Sequence, residues 1–102
     1  MSQHPLSPLA ALDPSLFDGI LANYSKTYEP GALSRKHKIL VALAVDTTKG
    51  AVNGVRTLGK MALDAGATKE EIADALRVVY QICGVGSMYT AAAGLADVLE
   101  DG

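Results

Sequence analysis

The sequence predicts an all-α fold, a bundle of about five helices that associates into an oligomer. Three observations carry that expectation. Apolar residues recur at spacings of three and four along most of the chain, helix start and stop signals bracket those stretches, and no segment reads convincingly as a strand. A chain of 102 residues suffices for one core.

Residues 1–12, with Pro5 and Pro8, read as a flexible N-terminal arm ahead of a helical domain over 13–102. Asp13 is placed to cap a first helix and Pro14 to occupy its first position, where its fixed φ suits the helix and its missing N–H costs nothing. That helix is expected to reach Lys26 and to bury Leu16, Phe17, Ile20 and Leu21, before Pro30 and Gly31 break it. Ser34 caps the next helix, whose basic first turn "RKHK" opposes the helix dipole. Its continuation "ILVALAV" is apolar on every side. Periodicity alone allows a buried strand there, but the Leu/Ala content and the capped start favour a central buried helix.

The third helix, about 51–65, carries Asn53, Arg56, Thr57, Lys60 and Asp64 on one stripe and Val52, Val55, Leu58 and Ala62 on the other. Gly66 supplies a left-handed residue to end it, and Thr68 with Glu71 forms a capping box for the fourth helix. The fourth is expected to bury Ile72, Leu76, Val79, Tyr80 and Cys83, with Glu70 and Glu71 in its first turn as the dipole prefers. "CGVGS" then breaks the chain. A fifth helix over about 87–100 presents Met88, Ala91, Ala92, Leu95 and Leu99, and its "AAAG" offers a surface for close packing.

Composition narrows the functional classes. The chain is 49% apolar but 5% aromatic, with no Trp and one Phe, so its core must use Ala, Leu, Val and Ile. Such side chains leave a monomer little bulk to bury, and partner subunits are expected to help. A net charge of −2 with scattered Lys and Arg argues against nucleic acid. "GATKEEIADALRVV" has a faint helix-turn-helix character, but Glu70 and Glu71 would face phosphate. No apolar run approaches the ~20 residues of a membrane span, and "MSQHPLSPLAALDP" lacks a signal-peptide pattern, so a cytoplasmic protein without a membrane role is expected. One cysteine, Cys83, permits neither an internal disulfide nor a Cys-x-x-Cys pair. His4 and His37 are far apart with no ligands at useful spacing, so no metal and no cofactor is expected. "GVGS" is no nucleotide fingerprint, because no strand precedes it.

The order of elements, and above all "LSRKHKILVALAV" followed by "MALDAGATKEEIADAL", resembles the carboxymuconolactone decarboxylase family, which includes the alkyl hydroperoxidase D-like (AhpD-like) proteins. The likeness covers about residues 29–99 and implies an AhpD-like helical bundle assembled into trimers or hexamers. In the redox branch a Cys-x-x-Cys-x-x-x-His segment precedes "AGAT", with an acidic residue upstream. Counting back from Gly66 puts the cysteine slots at Ala51 and Gly54, the histidine slot at Leu58 and the acidic slot at Ile39. Peroxide reduction needs an attacking thiolate, a resolving thiol and groups that move protons. None of these four side chains can serve. The decarboxylase branch resembles the redox branch in using the histidine slot, which Leu58 fills.

The remaining candidates are weaker. Asp46 continues from an apolar helix and is costly to bury unpaired, so it should reach Thr47, Thr48, Lys49, Asn53 or Arg56, face a cavity, or lie at a solvated helix end. Arg56 and Lys60 could hold an organic carboxylate, or be solvated, with Lys60 and Asp64 forming a weak i,i+4 pair. Tyr80 and Tyr89 could present hydroxyls near "GVGS", Tyr80 as a core residue at an edge and Tyr89 at a subunit contact. Cys83 is a nucleophile only if exposed, and otherwise a core residue. The ligand-binding set is therefore Asp46, Asn53, Arg56 and Tyr80, and the catalytic candidates are Asp46 and Cys83. These point to a small, anionic organic ligand in the inherited pocket. The alternative is a lyase or decarboxylase-like enzyme, or a single-cysteine thiol enzyme, with relocated catalytic groups.

Overall fold

Helices account for nearly all the chain in the computed structural model, which describes residues 4–100. Among them are α1 (Ser7–Leu12), α2 (Pro14–Thr27), α3 (Arg35–Thr48), α4 (Val52–Asp64), α5 (Lys69–Cys83) and α6 (Val85–Glu100). The chain divides into two compact units, one through Pro30 and one from Gly31 onward. No helix among the described residues is long and apolar enough to cross a membrane.

The first unit is the helical pair α1–α2. Asp13 caps α2 as expected, its carboxylate accepting from the Leu16 N–H at 3.1 Å, with Pro14 at the first position. Two expectations change. Part of the stretch read as an arm is helical, with Pro8 in the first turn of α1 where no intrahelical N–H is needed; residues 1–3 lie outside the described residues. The expected core of α2 is not buried: Leu16 is exposed and Phe17, Ile20 and Leu21 are half-buried. Phe17 packs edge-on against His4, with ring centroids 6.0 Å apart.

The second unit is a four-helix assembly in which α4 packs against both α3 and α6, and α5 against α3 and α6. Its core is aliphatic, including Ile39 and Leu43 of α3, Val55 and Leu58 of α4, Ile72 and Val79 of α5, and Leu95 and Val98 of α6. Close approach of α4 and α6 depends on two residues without side chains. A Cβ at Gly94 would stand 2.7 Å from Val55 Cγ1 and 2.9 Å from the Val52 carbonyl oxygen, and one at Gly59 would stand 2.6 Å from Leu95 Cδ2. The "AAAG" segment thus packs tightly within the chain, through Ala91 and Gly94.

Helix ends follow the local signals. Ser34 accepts from the His37 N–H at 3.2 Å. Gly66, at φ 97°, ends α4 in the left-handed region that an L side chain enters only at a cost. The Thr68–Glu71 capping box is complete, with Glu71 N–H to Thr68 Oγ1 at 3.0 Å and Thr68 N–H to Glu71 Oε1 at 2.9 Å. The break after α5 is tighter than "CGVGS" implied. Gly84 alone interrupts the helices, and Gly86 and Ser87 already belong to α6.

The helix α3 departs most from expectation. It buries only the stripe Ile39, Leu43 and Thr47, whereas Val41 and Val45 face outward. A run that is apolar on every side can be covered all round only by neighbours on every side, and within this chain α3 has none on its outer face.

Candidate functional site

The vacated slots converge on the α3–α4 turn. Gly50, at φ 74°, reverses the chain, and the Ala51 N–H then donates to the backbone oxygen of Asp46 at 3.0 Å. This folds the start of α4 back over the end of α3. The Asp46 carboxylate comes to rest against Gly54, where a Cβ would collide with Oδ2 and stand 3.0 Å from Cγ. Glycine at 54 is what leaves room for the carboxylate. Ile39 and Leu58 are core residues, and Ala51 precedes α4 with no side-chain cap.

Asp46 is half-buried, and no hydrogen bond or ion pair reaches its carboxylate from the described residues. No fully buried side-chain N or O atom among the described residues lacks a partner, so this carboxylate keeps contact with water. The nearby donors are committed elsewhere. Thr47 Oγ1 donates to the Leu43 carbonyl at 2.8 Å and Thr48 Oγ1 to the Val45 carbonyl at 2.6 Å. These back-bonds within the helix satisfy both hydroxyls.

Arg56 and Asn53 do meet, but away from Asp46. Arg56 Nη1 donates to Asn53 Oδ1 at 2.8 Å, and its Nε lies 3.8 Å from Asp97 Oδ2 on α6. Gly54 and Arg56 are two residues apart, about 200° around a helix of 3.6 residues per turn, so the guanidinium and the Asp46 carboxylate face different ways. Asp97 has no counterpart in the sequence-based set, because the partner of Arg56 comes from a helix distant in sequence. The expected Lys60–Asp64 pair is not among the ion pairs of the described residues.

Two further candidates are corrected in burial. Tyr80 and Cys83, expected in the core of α5, are both exposed. Residues 80 and 83 lie on one side of α5, whereas Ile72 and Val79 take the inward positions. Cys83 lines an apolar groove with Val45 and Ile82. Among the described residues no group of three or more His, Cys, Asp or Glu could hold a metal ion. Electrostatically the best-defined contact lies at the starts of α3 and α5, where Lys36 Nζ donates to Glu71 Oε2 at 2.9 Å. That hydrogen bond, helped by the Thr68 N–H, holds the Glu71 carboxyl below its ordinary pKa.

The pattern of the carboxymuconolactone decarboxylase family matches residues 14–97. The chain belongs to that family. It is also 30% identical over 88 residues to an uncharacterized protein, MJ1511, of Methanocaldococcus jannaschii, covering 86% of this chain and 82% of that one. No solved structure matches. As a carboxymuconolactone decarboxylase family member this chain is all-α. The positions that resemblance assigns to thiols and imidazole hold, in this structure, two core aliphatics, an alanine at a helix start and a glycine beneath a carboxylate.

Proposed function

We propose that this family member binds a small organic molecule at the α3–α4 turn, as a cytoplasmic homo-oligomer, and does not reduce peroxides. The observation that carries the reading is the Asp46 carboxylate lying over Gly54, at the slot where the family resemblance puts a thiol. A half-buried carboxylate with no partner in the chain accepts hydrogen bonds and attracts positive charge. It suits a ligand that presents a hydroxyl, amine or amide. The geometry lends less support to an anion, since Arg56 is already engaged with Asn53 and Asp97. Family resemblance implies a trimer or hexamer.

A thermal-shift screen of polar metabolites tests the reading. A ligand that raises the melting temperature of the wild-type protein is expected to lose its effect with Asp46→Asn and to keep it with Arg56→Ala. A screen without a hit, or a hit indifferent to Asp46→Asn, contradicts it.

The exposure of Cys83 favours a second reading, single-cysteine thiol chemistry, because access is one requirement of a reactive thiol. Alkylation decides that point. A Cys83 that resists alkylation in the native protein at neutral pH removes the thiol reading.

A further inference from the structure

We infer that the outward face of α3 and α5 is the surface on which a second copy of this chain docks. The inference rests on the homo-oligomer reading above and names the contact. Two observations set α3 and α5 side by side and parallel: Lys36 pairs with Glu71 near their starts, and Val45 and Thr48 share a groove with Ile82 and Cys83 at their ends. Along the seam run two open apolar grooves that share Ala44 and Val78, one of about 370 Å³ and one of about 220 Å³. Large aliphatic side chains stand out from this one face. Leu33 is 50% exposed, Val41 53%, Val45 46%, Val78 65% and Ile82 74%.

The area is of the size an interface needs. The chain exposes 6708 Å², whereas a folded monomer of 10.6 kDa should expose roughly 5,500 Å². The excess is on the order of 1,200 Å², and a stable interface takes about 800 Å² from each partner. Contiguous apolar patches beyond a few hundred Å² mark association surfaces in soluble proteins. Charge points to a copy of the chain as the occupant. The parallel arrangement puts the basic first turn of α3 beside the acidic first turn of α5, so this end of the face carries both signs, partly neutralised by Lys36–Glu71. Such a rim selects neither an anionic nor a cationic partner, while an aliphatic face is complementary to an aliphatic face of its own kind. The grooves also lack the several convergent polar groups by which a pocket orients a small molecule.

The test is native mass and thiol access on the full-length protein. Wild-type protein is expected to be oligomeric, and Val78→Glu and Val41→Glu are each expected to reduce its mass by about half or more with helicity unchanged, since a buried unpaired carboxylate opposes docking. Cys83 at the end of the seam is expected to alkylate about tenfold faster in these variants than in wild type, because the rate follows access to the thiol. Should a variant fail to fold, dilution of the wild type replaces it, with Cys83 becoming reactive as the assembly dissociates. A wild-type monomer overturns both the inference and the oligomer reading. An oligomer whose mass and Cys83 reactivity ignore both substitutions, or a Cys83 rate independent of concentration, overturns this face alone and leaves the oligomer reading standing. A wild-type monomer with Cys83 covered by a co-purifying small molecule assigns the grooves to that molecule instead.

Discussion

The α4–α6 contact and the outer face of α3–α5 are built from similar residues and end in opposite situations. Between α4 and α6, Gly59 and Gly94 let the helices close until Val55, Leu95 and Val98 fill the space between them. On the outer face, Val41, Val45, Val78 and Ile82 are as apolar but meet nothing in the chain. The difference lies in what stands opposite. Apolar character creates a demand for burial, and topology decides whether the chain meets that demand itself.

Leu95→Ala and Val45→Ala should separate the two regions most widely. Leu95 is 2% exposed, and its truncation leaves a cavity, with an expected loss of about 3 kcal/mol by analogy with other buried leucines. Val45 is half-exposed and opens no closed cavity, so the same change should cost well under ~1 kcal/mol in a dissociated chain. Denaturant unfolding at low protein concentration measures both.

A smaller effect, of opposite sign at two glycines, sharpens the comparison. At Gly94 a methyl group meets the branched stem of Val55 and the Val52 carbonyl, neither of which can swing aside. Gly94→Ala should therefore destabilise by about 1–2 kcal/mol, overpacking outweighing the gain in helix propensity. At Gly54 the methyl group meets the mobile end of Asp46. Gly54→Ala should leave stability unchanged or raise it by up to ~1 kcal/mol, while displacing the carboxylate and abolishing any thermal shift by a ligand that depends on Asp46.

The smallest expected effect is acid weakening of the α3–α5 contact. Lys36 and Thr68 hold the Glu71 pKa below its ordinary value. The resulting stabilisation is complete above the unfolded-state glutamate pKa of about 4.3, and declines as pH falls from there through the lower folded value. Unfolding of Glu71→Gln compared with wild type should show their difference narrowing as the pH drops through that range. Both side chains are substantially solvated, so the contribution is modest.

What the sequence disclosed and what it hid follow the range of the interactions. The Asp13 and Ser34 caps, the Thr68–Glu71 box and the left-handed Gly66 were legible because each depends on neighbours within a few residues. Family membership was legible through the spacing from "LSRKHKILVALAV" to "AGATKEEI". The outward turn of Val41, Val45, Tyr80 and Cys83 was not, because which side of a helix is covered depends on helices remote in sequence. The site was half legible. Counting located Ala51, Gly54, Leu58 and Ile39, and the apolar run before Asp46 drew attention to it. That Asp46 lies on Gly54, and that Arg56 turns instead toward Asn53 and Asp97, required the α3–α4 turn and the α4–α6 crossing.

Hydroperoxide consumption by the pure protein, supplied with a dithiol reductant, tests the emptied centre most directly. With a carboxylate and aliphatic side chains where thiols and imidazole would act, consumption by wild type and by Cys83→Ser should equal that of the reductant alone. Turnover well above that background, undiminished in Cys83→Ser, would contradict the account.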